Sequence, residues 1–215
     1  MQTAPSNGNV SLEALLRLHC SVITSCVVVR RQSLLEVGLF DETLKQAEDF
    51  DLWVRLALSG CRLSYEREVS AYHRLHRRSL TNDKVGVHLG ERDVYLKLLS
   101  NPNVPAQLHS VLHEQAARCL ADLAIENGKR HLMAGSYTQA AEEIDTAIDH
   151  YQSRKLHLVR VGLRLAPGAV HLLFRLVQLL YKIRYRWAGL SNEVPSKVGD
   201  TMKTAVERNL VNVGD

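Results

Sequence analysis

The chain has 215 residues, 46% of them hydrophobic and 23% charged, with a formal net charge of +4; this is globular composition, enough for one domain or one and a half. No apolar run reaches the roughly 18–20 residues that a membrane span requires, and the opening MQTAPSNGNV has neither the basic start nor the apolar core of a secretory signal. The four cysteines, Cys20, Cys26, Cys61 and Cys119, show no zinc-type spacing and read as reduced thiols of a cytoplasmic protein.

In chain order, residues 1–10 read as a flexible start. Residues 11–19 (SLEALLRLH) predict a short helix with Ser11 as its N-cap. Residues 21–31 (SVITSCVVVRR) are dense in β-branched side chains and predict a buried strand. SLLEVGLF predicts a short helix stopped at Gly38, followed by a turn. AEDFDLWVRLAL predicts a second helix, stopped by Gly60 in the position just past a helix end. Residues 61–76 alternate well enough for one or two strands.

After His76 the pattern becomes almost entirely helical. One helical segment covers residues 81–100, and a break follows at 101–105. Long helices are expected at 106–134 and 137–152, with a turn at Gly135 and Ser136 between them. A break at Pro167 and Gly168 precedes a last helix from about Ala169 to Arg186, and residues 191–215 read as a loose tail. GSYTQAAEEIDTAI, with Gly128 upstream, is similar to one tetratricopeptide-type helix pair. Gly128, Ala140 and Ala147 supply small residues, but no second copy follows, so a simple helical hairpin accounts for them. The division is residues 1–82, mixed α/β; 83–190, helical; and 191–215, tail.

Charge is unevenly placed. Residues 150–192 contain no Asp or Glu, but they include Arg154, Lys155, Arg160, Arg164, Arg175, Lys182, Arg184 and Arg186. On a helical wheel His171, Arg175, Gln178, Lys182 and Arg186 share a stripe opposite Leu172, Leu173, Leu176, Leu179, Leu180 and Ile183. Two readings stay open for residues 169–186: docking of the apolar side on the preceding helices, or contact with an anionic membrane surface. No nucleic-acid motif or aromatic interleaving is present, so nucleic acid is not expected as a partner.

The opposite charge gathers early: residues 38–60 (GLFDETLKQAEDFDLWVRLALSG) hold five acids. The positive end of a helix dipole favours carboxylates in the first turn, which accounts for one or two of Glu48, Asp49 and Asp51. It leaves unexplained why Phe50 and Trp53 are woven between them.

Together, Arg30-Arg31, Gly38-Leu39-Phe40-Asp41-Glu42, Ala47-Glu48-Asp49, Asp51-Leu52-Trp53-Val54-Arg55-Leu56 and Arg74-Leu75-His76 form an ordered set. Over residues 20–82 this set resembles the acceptor-side half of a family 2 glycosyltransferase, an inverting enzyme of the GT-A fold. The resemblance implies an α/β, partial GT-A-like unit with an incomplete nucleotide-binding half, followed by the α-helical region. It also implies a nucleotide-sugar donor, a saccharide or lipid-linked acceptor, and a divalent metal (Mn or Mg) at the leaving diphosphate. Asp49 would be the general base. Glu48 would orient the acceptor. Trp53 is placed at the acceptor side, and with Phe50 it also reads as a core anchor of that turn. Arg74 would meet the diphosphate, and His76 would ligate the metal. His73 falls on the other side of a strand from His76 and reads as structural, while Arg77 and Arg78 carry no assignment.

Asp49-Phe50-Asp51 spells the Asp-x-Asp of a nucleotide site, but within a helix residues i and i+2 point apart. The donor-binding half is therefore not evident. The expectation is a fragment of a longer enzyme, or a degenerate or partner-dependent form, cytoplasmic and peripheral on the inner face of the plasma membrane. The competing expectation is a non-catalytic protein-interaction module that uses the helical region.

Overall fold

The computed structural model describes residues 10–20, 22–65 and 83–189, without the side chains of Lys182 and of 184–189. Eight α-helices occur among the described residues: α1 (Leu12–Leu16), α2 (Arg31–Val37), α3 (Glu48–Leu58), α4 (Lys84–Leu99), α5 (His109–Ala134), α6 (Tyr137–Tyr151), α7 (Arg154–Leu165) and α8 (Pro167–Gly189). The α/β class expected from the sequence is therefore corrected: the described residues are helical and contain no strand.

The strand expected at residues 21–31 shows why. Thr24–Cys26 forms a 3-10 turn that interrupts it. After the turn the backbone is extended, with Val27 at φ −106 and ψ 137. The two-residue alternation is present: Val27 and Val29 pack inward, and Val28 is 100% exposed. No ladder forms among the described residues, where the only β-type pairing is the isolated bridge between Val10 and Leu63. β-Branched side chains suit a half-buried extended surface whether or not a neighbouring strand is present. The expected pairing at 61–76 meets the same bridge at Leu63, and its remainder lies outside the described residues, as do the flexible start before Val10 and the tail.

Local chemistry accounts for the helix ends. The Ser11 side chain accepts from the Ala14 amide and caps α1. Gly38, at φ 87, ends α2 in a left-handed conformation that glycine takes without a Cβ penalty. Pro167 opens α8 at the first helical position, where its missing N–H costs nothing, so it starts a helix here. Helix α7 has no counterpart in the sequence reading. It holds Leu156 and the buried Leu163 against α6.

Three groups of buried side chains organise the molecule. The first joins Leu16 and Val54 to Val94, Tyr95 and Leu98 of α4 and to Val111, Leu112, Ala116 and Cys119 of α5. The second packs Leu132 of α5 against Ala140, Ile144 and Ile148 of α6 and Leu163 of α7. The third is Leu52, Trp53 and Leu56 of α3, covered by Val22, Val27, Val29, Leu34 and Val37. Helix α3 is thus buried on two sides and sits between the first and third groups.

A polar brace ties α4, α5 and α6 together. The Arg118 guanidinium donates to Gln115 (2.8 Å), Asp122 (2.8 Å) and Glu91 (2.9 Å), and the Tyr151 hydroxyl donates to the other Asp122 oxygen at 2.5 Å. Burial, with the nearby Arg118 opposing, pushes the adjacent Cys119 thiol up to about 12, so this cysteine is a neutral core side chain.

Candidate functional site

The loop before α3, residues 38–47, carries two of the four non-glycine residues with positive φ among the described residues, the others being Leu18 and Gln152. Leu39 has φ 58 and Ala47 φ 60, both in the left-handed region that non-glycine residues seldom occupy. Three contacts hold it. Arg55 donates through its two terminal nitrogens to the carbonyls of Val37 and Leu39, either side of Gly38. Lys97 of α4 donates to Asp41 at 2.7 Å. The Gln46 backbone lies against α4 at Gly90, where an added Cβ would stand 2.6 Å from the Gln46 carbonyl oxygen.

Asp51 links these contacts. Its carboxylate is buried, with Arg55 at 2.7 Å on one oxygen and Lys97 at 2.8 Å on the other. A buried carboxylate needs such partners, since an unpaired charge there would cost several kcal/mol. The hydrogen bond from Lys97, helped by the Thr43 hydroxyl and amide, holds the Asp41 carboxyl well below the usual carboxylate range. Partial burial works against the Lys97 charge, but the hydrogen bonds to Asp41 and Asp51 outweigh it and raise its pKa.

Asp49 stands apart from this network. It is half-buried in the first turn of α3. One oxygen accepts from the Thr24 hydroxyl at 2.8 Å, and the other from the Phe50 amide at 2.7 Å. Glu48 beside it is exposed. Trp53, given an acceptor-side place from the sequence, is 4% exposed in the third core group, and its Nε1 has no hydrogen-bond partner among the described residues. Phe50 turns the other way and meets the Tyr95 ring edge-on at 5.5 Å.

Asp49 and Asp51 go to separate partners and do not converge on a common point. Among the described residues no three His, Cys, Asp or Glu side chains are grouped to hold a metal ion. Arg74 and His76, with His73, Arg77 and Arg78, lie outside the described residues. Thr24 and Lys97 are the two side chains that sequence reasoning missed: the first lay within an expected strand, the second within an unremarked helical turn.

The chain matches no family model, no curated protein and no solved structure.

Proposed function

We propose that the chain is a family 2-like inverting glycosyltransferase, or the acceptor-side part of one, with Asp49 as its general base. It transfers a sugar from a nucleotide-sugar to a hydroxyl of a saccharide or lipid-linked acceptor. The observation that supports this reading is the joining of separate sequence pieces into one hydrogen-bonded unit. Gly38 to Asp41, Asp51 and Arg55 interlock, and the unit leaves Asp49 and Glu48 at its rim. The left-handed backbone at Leu39 and Ala47, two of the four such non-glycine positions among the described residues, lies beside the acids and fits a functional turn. In the reaction, the Asp49 carboxylate takes the acceptor hydroxyl proton as that oxygen attacks the anomeric carbon opposite the departing nucleoside diphosphate. Thr24 and the Phe50 amide each use one lone pair of the carboxylate, so each oxygen retains another to receive the proton. The roles of Arg74 at the diphosphate and of His76 with a divalent metal rest on the resemblance alone.

The test is release of nucleoside diphosphate from UDP-, GDP- and dTDP-sugars, with and without manganese, in the presence of saccharide and lipid-linked acceptors. Asp49→Asn is expected to lower turnover about 100-fold or more, with the melting temperature unchanged. Release that survives Asp49→Asn, or no release from any donor, removes Asp49 as a base in this chain. A second reading, a non-catalytic interaction module, is favoured by the bare apolar side chains on α7 and α8. Under it, Asp49→Asn and His76→Ala leave partner binding unchanged.

A further inference from the structure

The sequence reading offered docking of the apolar side of the last helix as one outcome. Helix α8 does dock, but by another edge. Val170 and Phe174 reach the second core group, and the Tyr137 hydroxyl meets His171 Nδ1 at 3.2 Å. The broad leucine face points away: Leu172, Leu173 and Leu180 are 60%, 63% and 65% exposed. Helix α7 adds a stripe of its own at i, i+3 and i+7, where Leu158, Val161 and Leu165 are 73%, 46% and 81% exposed. Exposed apolar residues in such number on two successive helices mark a contact with something else.

Charge identifies what covers it. Residues 150–192 hold no acid. Arg160 and Arg164 are engaged with Asp145 of α6. Arg154, Lys155 and Arg175 are exposed and have no ion-pair partner among the described residues. In sequence, Lys182 and Arg186 continue the stripe of Arg175 at i+7 and i+11, and Tyr185 and Trp187 stand near the end of the helix. With α8 docked through Val170, His171 and Phe174, Arg175 falls between the docked edge and the leucines, so the basic stripe borders the leucine face and does not stand squarely opposite it. A basic border with aromatic residues at one end suits the boundary between lipid headgroups and acyl chains. A second copy of the chain would set one acid-free basic face against another and repel it. No helix among the described residues is long and apolar enough to cross a membrane, so the fitting geometry is a helix pair lying in the plane of the surface.

We propose that the exposed face of α7 and α8 binds a bilayer surface rich in anionic headgroups, with the leucines inserted and Arg154, Lys155 and Arg175 at the phosphates. The inference is independent of the transferase reading: failure of vesicle binding leaves Asp49 untouched, and loss of turnover leaves the face untouched. The test is flotation of the full chain with phosphatidylglycerol vesicles and with phosphatidylcholine vesicles. Flotation is expected with the first only, weakened by salt. Leu176→Glu with Leu180→Glu, both at exposed positions, should abolish it with the circular dichroism spectrum unchanged. Replacing Arg154, Lys155 and Arg175 together by Gln should lower the affinity about 100-fold, at roughly fivefold per cation near an anionic surface. No flotation, equal flotation with both lipids, or flotation that survives the variants overturns the proposal. So does a concentration-dependent dimer in sedimentation that the two glutamates dissolve while vesicles stay unbound, since a second copy would then cover the face.

Discussion

The acids of residues 38–60 divide by what each side chain touches. Asp41 and Asp51 are partners of cations that hold the loop, whereas Asp49 meets only a hydroxyl and an amide. Substitution should separate them. Asp51→Ala strands Arg55 and Lys97 beside a buried gap and is expected to cost about 3–5 kcal/mol of stability, read as a fall in the urea midpoint. Asp49→Asn, near the surface with neutral partners, should leave that midpoint nearly unchanged. The Asp41–Lys97 pair sets limits in pH. The depressed Asp41 pKa contributes stability that is present above the ordinary carboxylate value of about 3.9 and is lost as pH falls through its folded value. The raised Lys97 pKa contributes stability present below about 10.4 and lost as pH rises through its own folded value. Amide protection in residues 38–47, the exchange rate relative to that of the unfolded chain at the same pH, should therefore be high between these limits and fall beyond both. Lys97→Met should remove much of the pH dependence at either end.

At the scale of elements, glycine-to-alanine changes in two helices should have opposite signs. In α5, a Cβ on Gly128 would lie 3.4 Å from Ile144 Cδ1 and 3.5 Å from the Ala140 carbonyl, ordinary contact distances. Gly128→Ala is expected to stabilise by up to about 1 kcal/mol through helix propensity. In α4, the same change at Gly90 drives a Cβ into the Gln46 carbonyl and should cost about 1–3 kcal/mol, again read from the urea midpoint. Most helices were legible in the sequence because their ends carry local chemistry: Ser11, Gly38, Gly60 and Gly135 each act within a few residues of the element they stop or start. The helical hairpin of α5 and α6 came through for the same reason. The extended run at 27–30 was misread because inward and outward alternation is written in the sequence, while the presence of a neighbouring strand is not. Helix α7 was missed because its apolar residues serve two faces. Leu163 faces the core and Leu158 and Leu165 face outward, which blurs the period. Of the candidate site, Asp49 and its neighbours were legible as a pattern. Thr24 and Lys97 were not, since their roles depend on contacts 25 and 46 residues away in sequence.

At the scale of the whole molecule, the first core group contains Leu16 and Val54 from one side of residue 82 and Val94, Leu98 and Leu112 from the other. The Tyr95 hydroxyl also donates to the Leu16 carbonyl at 2.9 Å. Unfolding of the two stretches should therefore be coupled. One calorimetric transition is expected for residues 10–65 together with α4 and the first half of α5, and separate transitions divided at residue 82 would contradict it. The bond from Lys97 to Asp41 and Asp51 also has a consequence in time. A polypeptide leaves the ribosome from its N-terminus. Helix α3 and its acids emerge well before the lysine that anchors them and before Gly90, on which the preceding loop rests. A nascent chain halted ahead of residue 97 carries Asp49 on an unsecured turn, and the site acquires its shape only when α4 arrives.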